Sequence, residues 1–269
     1  MSGMGVAPDV SAAVRSGACL ATALPVSAES VSHARLRVRT VARGLGLTPE
    51  RVDDLVVVTA ELTTNALTHG GGRMVHHAGH PVAGLPELWL YVRGSRRPEL
   101  VVTVFDTGDF WVQPVSVPAN GLDVAGVDGR GLQIIAALAE EAGGGWGLHP
   151  SRSRLGEQRL KGTAVWVALP VPEPVRAPAL VEVSPAKAIR RLAELLQARG
   201  VGDLITRACE HEAVLSLSGL TVWFGRGTYS WQGAAGRVRV AVADVVDVAE
   251  QILAQTELAR RRSEMEGSC

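Results

Sequence analysis

The chain has 269 residues, 46% of them hydrophobic, and its 27 basic and 27 acidic side chains cancel. Balanced charge gives no ground for a nucleic-acid groove or an anionic membrane surface as partner, while this length and hydrophobic content suit one medium domain plus a smaller one. No run of about 18 apolar residues occurs and no basic segment precedes an apolar one, so neither a membrane span nor a secretory leader is expected. Cys19, Cys209 and Cys269 share no CxxC spacing and are expected to be reduced thiols in a cytoplasm.

In chain order, residues 1–21 hold small and polar side chains without periodicity and are expected to form a flexible lead-in. A helix begins near Ser30, with Val31, Ala34, Leu36, Val38 and Val41 as a broad apolar face, and breaks at Gly44 and Gly46. A second starts at Thr48-Pro49, the threonine as N-cap and the proline in the first turn. Val52, Leu55, Val56, Thr59, Leu62 and Ala66 then recur at helical spacing.

That second helix ends in the most informative string of the chain, Glu61-Leu-Thr-Thr-Asn65-Ala-Leu-Thr-His69-Gly70. Glu61 and Asn65 are four apart and share one helix face beside the apolar stripe. A carboxylate and a carboxamide are hard oxygen donors of the kind Mg2+ prefers when it bridges to nucleotide phosphates, although such a pair also occurs on solvated faces. His76, His77 and His80 follow in a Gly- and His-rich stretch from Gly70 to Pro86; without Cys or acidic partners they read as a solvated loop rather than a metal site.

Leu88–Val92 and Leu100–Phe105 read as strands, the second a β-branched run of a buried kind that stops at Asp106-Thr107-Gly108. A carboxylate there can accept from an exocyclic amine such as that of adenine; the plain alternative is a strand-ending turn. A loose stretch from Val112 to Asp128 leads to Gly129-Arg130-Gly131-Leu132, and Leu132, Ile135, Leu138 and Ala139 continue as a helix. Glycines at a helix mouth let backbone N–H groups approach phosphate oxygens. No Lys-Ser/Thr pair follows them, which excludes a P-loop, and no GxGxxG sits between a strand and a helix. Ala164–Leu169, after Gly162-Thr163, reads as a further strand.

Glu61…Asn65…His69-Gly70, Asp106-Thr107-Gly108, Gly129-Arg130-Gly131-Leu132 and Gly162-Thr163 together resemble the boxes of the GHKL ATPase family, and most closely its anti-sigma-factor serine/threonine kinase branch, over about residues 22–172. The resemblance implies an α+β fold, a two-layer α/β sandwich of the Bergerat ATP-binding type with helices on one face of a mixed sheet. It implies ATP and Mg2+ as cofactors, with Glu61 as base or water-orienting residue, Asn65 as Mg2+ ligand and Asp106 reading the adenine amine. By the same likeness Gly108 lets the base approach, Gly129, Arg130, Gly131 and Leu132 line the phosphates, and Thr163 supports adenine. Arg130 either stabilises γ-phosphate charge during transfer or binds a partner's acidic surface, and His69 reads as a positioning histidine at a helix end. Phe110 follows Asp109 where the wider family has a second glycine, which bears on the lid and not on adenine recognition. The implied partner is a sigma factor or an anti-anti-sigma-like regulator, with a homodimer possible by the same analogy. The implied function is transfer of the ATP γ-phosphate to a serine or threonine; a nucleotide-gated binding module with little turnover is the alternative.

Pro170, Pro172, Pro174 and Pro178 mark a stiff linker, placed at 171–183 between an ATP-binding domain at 22–170 and a small α+β domain at 184–269. In the latter, Ser184-Pro185 opens an amphipathic helix that ends at Gly200. Ala213–Leu217, Leu220–Phe224 and Thr228–Trp231 suggest a meander, and a last helix runs from about Val240 to Arg260. Trp223, Tyr229 and Trp231 are expected to fill its core, and Arg260, Arg261 and Arg262 to face solvent at a helix end. No family resemblance covers this part.

Overall fold

The structure, a computed structural model, describes residues 10–27, 29–69, 84–95, 97–108, 130–157, 159–172, 183–217 and 219–266, apart from the side chains of His69 and Arg130. Two five-stranded sheets organise it, each with its own apolar core. The first has the order β1-β2-β3-β5-β4, formed by Leu20–Ala23, Glu87–Arg93, Glu99–Asp106, Lys161–Pro170 and Gly145–Arg152 for β1, β2, β3, β5 and β4 respectively. Every ladder in it is antiparallel, where a mixed sheet was expected. The reason is local: β4 turns straight back into β5 as a hairpin, with Arg152 opposite Lys161, so no parallel crossover arises.

Helices α2 (Glu29–Gly44), α3 (Pro49–His69) and α4 (Arg130–Glu141) belong to the core on one face of this sheet. Leu88, Leu90 and Val92 of β2, Leu100, Val102 and Val104 of β3, and Val167 and Leu169 of β5 alternate onto that face and meet Val38, Leu55, Leu62 and Ile135 of the helices. The Thr48 hydroxyl accepts from the Arg51 N–H at 3.4 Å, as an N-cap should.

The expected lead-in is in part structured. Val10–Arg15 forms a short helix, α1, with Val14 fully buried, and β1 pairs with β2. Gly44 explains how α1 docks: a Cβ there would overlap the Ser11 side chain, so the glycine read as a helix breaker also admits a second helix. The Arg15 guanidinium completes the joint by donating to the Gly44 carbonyl at 2.9 Å.

The second sheet is an antiparallel meander, β6 (Ile205–Ala208), β7 (Glu212–Leu217), β8 (Leu220–Gly225), β9 (Thr228–Gly233) and β10 (Gly236–Ala241), in spatial order β10-β9-β8-β7-β6. Helix α5 (Pro185–Gln197), capped by the Ser184 hydroxyl, and helix α6 (Val245–Glu266) complete it. Tyr229 and Trp231 enter its core as expected, but Trp223 does not: 48% of it is exposed.

The outer face of the first sheet is also covered. Tyr91, Val101 and Ala168 pack with Val246 of α6 and Leu195 of α5, and Trp89 stacks on Phe105 at 5.3 Å between centroids. Burial on both faces accounts for the largely apolar run of β3, broken only by Thr103.

Candidate nucleotide site

On α3, Leu62, Thr63 and Ala66 turn into the core while Glu61 and Asn65 stay half-buried on the adjoining face. The first turn of α4 lies against that face. A Cβ built on Gly131 would sit 3.0 Å from Glu61 Oε2, 3.3 Å from Asn65 Nδ2 and 3.7 Å from Asn65 Oδ1. Two segments far apart in sequence thus meet at one carboxylate and one carboxamide, and a side chain at Gly131 would press on both. Leu132 anchors the turn by packing on the first core.

The second cluster is at the end of β3. Asp106 pairs across the ladder with Thr163 of β5, and its Oδ1 accepts from the Gly108 N–H at 2.8 Å. A Cβ on Gly162 would collide with the Asp106 carbonyl, so this glycine lets the strand ends close at the point where the side chains of Asp106 and Thr163 are placed. Because α3 packs over β3, both clusters belong to the helical side of the same sheet.

The residues present fit a magnesium nucleotide in chemical kind. The carboxylate and carboxamide oxygens on α3 are hard donors, the first turn of α4, the positive end of its dipole, lies beside them, and Asp106 supplies an acceptor. Arg130 is placed as the first residue of α4. Gly129, Phe110 and the histidines 76, 77 and 80 lie outside the described residues. Among the described residues no group of three or more His, Cys, Asp or Glu side chains could hold a metal by itself. No helix among the described residues is long and apolar enough to cross a membrane.

A set of charged residues that the sequence did not single out is buried at the junction of the two domains. Glu250 of α6, 4% exposed, pairs with Arg199, equally buried, and with Arg154 at 2.6 Å, and accepts from the Ser151 hydroxyl at 3.0 Å. Arg152 pairs with Glu257 at 2.6 Å. Asp247 meets Arg93 at 3.5 Å and the Tyr91 hydroxyl at 3.3 Å, and Asp244 accepts from the Gly94 N–H at 3.0 Å. Burial alone would raise the Glu250 carboxyl, yet the Arg199 and Arg154 guanidiniums beside it, helped by His149, hold it well below the usual carboxylate range. Glu87 shows the opposite balance: burial pushes it up, against hydrogen bonds from the Arg154 and Leu155 N–H groups and the Trp89 indole. The only signal available in the sequence was the helical spacing of Asp247, Glu250 and Glu257 beside apolar Val246, Val248, Ile252 and Leu253.

Residues 24–149 match the family model described as the histidine kinase-like ATPase domain. Among solved structures, the histidine kinase domain from the Erythrobacter litoralis EL346 blue-light activated histidine kinase aligns at 18% identity over 53% of this chain and 59% of its own, with a TM-score of 0.30. No curated protein matches the sequence. The two-layer arrangement of α2, α3 and α4 on the sheet and the meeting of Glu61, Asn65 and Gly131 agree with the match, and residues 24–149 of this chain are similar to the histidine kinase-like ATPase domain.

Proposed function

We propose that the protein is an ATP- and Mg2+-dependent protein kinase of the anti-sigma-factor type, transferring the γ-phosphoryl group to a serine or threonine of a regulatory partner, a sigma factor or an anti-anti-sigma-like protein, in the cytoplasm. The observation that supports this reading is the close approach of Gly131 to Glu61 and Asn65, which brings a carboxylate and a carboxamide together beside the first turn of a helix. A magnesium ion held by Asn65 would supply charge neutralisation to the phosphates.

The remaining work belongs to the protein. Asn65 would offer its carboxamide oxygen to the cation, Asp106 and Thr163 would orient the adenine, with Gly108 leaving space for the base, and Gly129, Arg130, Gly131 and Leu132 would surround the phosphates. Glu61 would accept the proton of the acceptor hydroxyl as its oxygen bonds to the γ-phosphorus and the bond from that phosphorus to the bridging oxygen breaks, releasing ADP. In such a transfer positioning and electrostatics supply most of the rate.

Glu61→Gln keeps the shape and removes the base. With the partner recovered by ATP-Mg2+-dependent pull-down, its phosphorylation is expected to fall at least ~100-fold, the lower end for general-base catalysis, with ATP affinity nearly unchanged. Regulation of the captured partner that persists in this variant, together with an empty phosphosite map on the partner, would replace the kinase by a nucleotide-gated binding module.

A further inference from the structure

A cavity of about 1000 Å3 lies away from the α3–α4 site. It is a cleft on the far side of the first sheet, walled by β2, β4 and β5, by the second sheet and by one flank of α6. Pockets for small ligands span about 300–1000 Å3 and favour such domain boundaries.

Its walls are aromatic. Trp166 lies across β4 so closely that a Cβ on Gly147 would sit 2.9 Å from its Cζ2 and 3.1 Å from its Nε1, so the glycine makes room for a flat indole. Trp223 borders the same cleft and stays 48% exposed, although its neighbours Val222 and Phe224 are buried. An indole left in water on an otherwise well-packed strand contributes little to folding and offers a stacking surface.

The charges in the cleft do not cancel. Its acids are matched already: Asp247 by Arg93 at 3.5 Å and by the Gln251 amide at 2.7 Å, and Glu250 by Arg154 and Arg199, which do not line it. Arg237 donates to the Ser230 hydroxyl at 3.1 Å, but neither it nor Arg262 has an ion pair among the described residues. Two cations are therefore left over at an aromatic surface. Guanidiniums favour carboxylates through paired N–H donors.

We propose that this interdomain cleft binds a small aromatic carboxylate, its ring against the exposed Trp223 indole, since Arg93 already lies over the Trp166 ring at 4.7 Å, and its carboxylate at Arg237 and Arg262. The site is independent of the nucleotide site and of the function proposed for it. Calorimetric titration of the full chain with indole-3-acetate, naphthalene-2-carboxylate and benzoate tests it, with indole-3-acetamide as the uncharged control. At least one acid is expected to bind; for indole-3-acetate the amide binds at least about tenfold more weakly, a difference of ~1.4 kcal/mol. Trp223→Ala and Arg237→Gln, both at exposed positions, are each expected to weaken binding about tenfold with near-UV dichroism unchanged, while Asp106→Ala leaves it intact. Equal binding of acid and amide, no association with any of the three acids, or insensitivity to both cleft substitutions overturns the proposal. Association of a poly-glutamate peptide in place of the small acids also overturns it in favour of an acidic protein segment. Binding of ATP that survives Asp106→Ala and is lost in Trp223→Ala would overturn it in favour of a nucleotide.

Discussion

The two faces of the first sheet are built from the same strands and solve opposite problems. On the helical face Leu90, Val102 and Val167 meet α2, α3 and α4 in a mainly apolar core whose buried polar residues, Ser30, Thr59 and Thr63, carry no charge, and Glu61, Asn65 and Gly131 meet at its rim. On the outer face Trp89, Tyr91 and Phe105 share their space with a chain of buried charges running from Glu87 through Arg154, Arg199 and Glu250 to Arg152 and Glu257. The Arg199 and Arg154 guanidiniums also lie over the Trp89 ring, at 4.7 and 5.0 Å from its centroid. Apolar packing tolerates small adjustments of position, whereas a buried charge demands its partner in place, so the outer face holds the second domain in one register while the helical face leaves its rim open for a ligand.

The largest effect that would break this comparison is at Glu250. Glu250→Ala strands Arg199 and Arg154 in an apolar site and is expected to cost about 3–5 kcal/mol in urea unfolding of the full chain. Replacing Glu250, Arg154 and Arg199 together by Met is expected to cost clearly less, since no buried charge then lacks a partner. A single substitution as mild as the triple one would mean that water reaches the network.

Acid approaches the same network. Glu250 and Glu257 have folded-state pKa values below the ordinary one, so the stability they contribute is complete above pH about 4.3 and is lost as the pH falls through the depressed values. Glu87, raised by burial, acts in the opposite sense: its unfavourable contribution at neutral pH is relieved as it protonates. The stability difference between the parent and Glu250→Gln, read from urea midpoints, is therefore expected to be full at neutral pH and to shrink only below about pH 4. A difference that already shrinks toward pH 6 contradicts this assignment.

At the rim the expected effects fall on ligand affinity rather than stability. Asn65→Ala removes a charge-assisted contact of about 1.5–3 kcal/mol, so MgATP affinity should drop at least about tenfold, while the half-buried position keeps the change in unfolding free energy within ~0.5 kcal/mol. Gly131→Ala is the smallest. Alanine favours the helix by about 0.5–1 kcal/mol, but its Cβ presses on Glu61 Oε2 at 3.0 Å; near-neutral stability with several-fold weaker nucleotide binding is the expected outcome, and unchanged binding would mean that Glu61 is free to move.

Legibility in the sequence followed the same division. The stripe Val52-Leu55-Thr59-Leu62-Ala66, the runs of β2, β3 and β5, and the amphipathic α5 were readable because each buries a face that repeats at helical or strand period. Strand β4, Gly-Trp-Gly-Leu-His-Pro-Ser-Arg, was not: two glycines and a proline argue against a strand, and it exists because Gly147 lets Trp166 lie across it and β5 supplies its hydrogen bonds. Strand β6, exposed at all four residues, and β10, with four charged or small positions, carry too little apolar alternation to show. In the candidate site, Glu61, Asn65, Asp106, Gly131 and Thr163 could be nominated from their motifs, but their meeting could not.

Local pattern alone determined the helices and strands that bury one apolar side and the order in which the nucleotide boxes occur, because period and box order are properties of neighbours along the chain. Tertiary structure decided that α4 closes on Glu61 and Asn65, that Trp223 stays in water, and that Glu250 sits among arginines rather than in solvent. Those outcomes depend on which distant surfaces meet. A charged residue looks the same in a sequence whether water or a guanidinium faces it, and only packing supplies that neighbour.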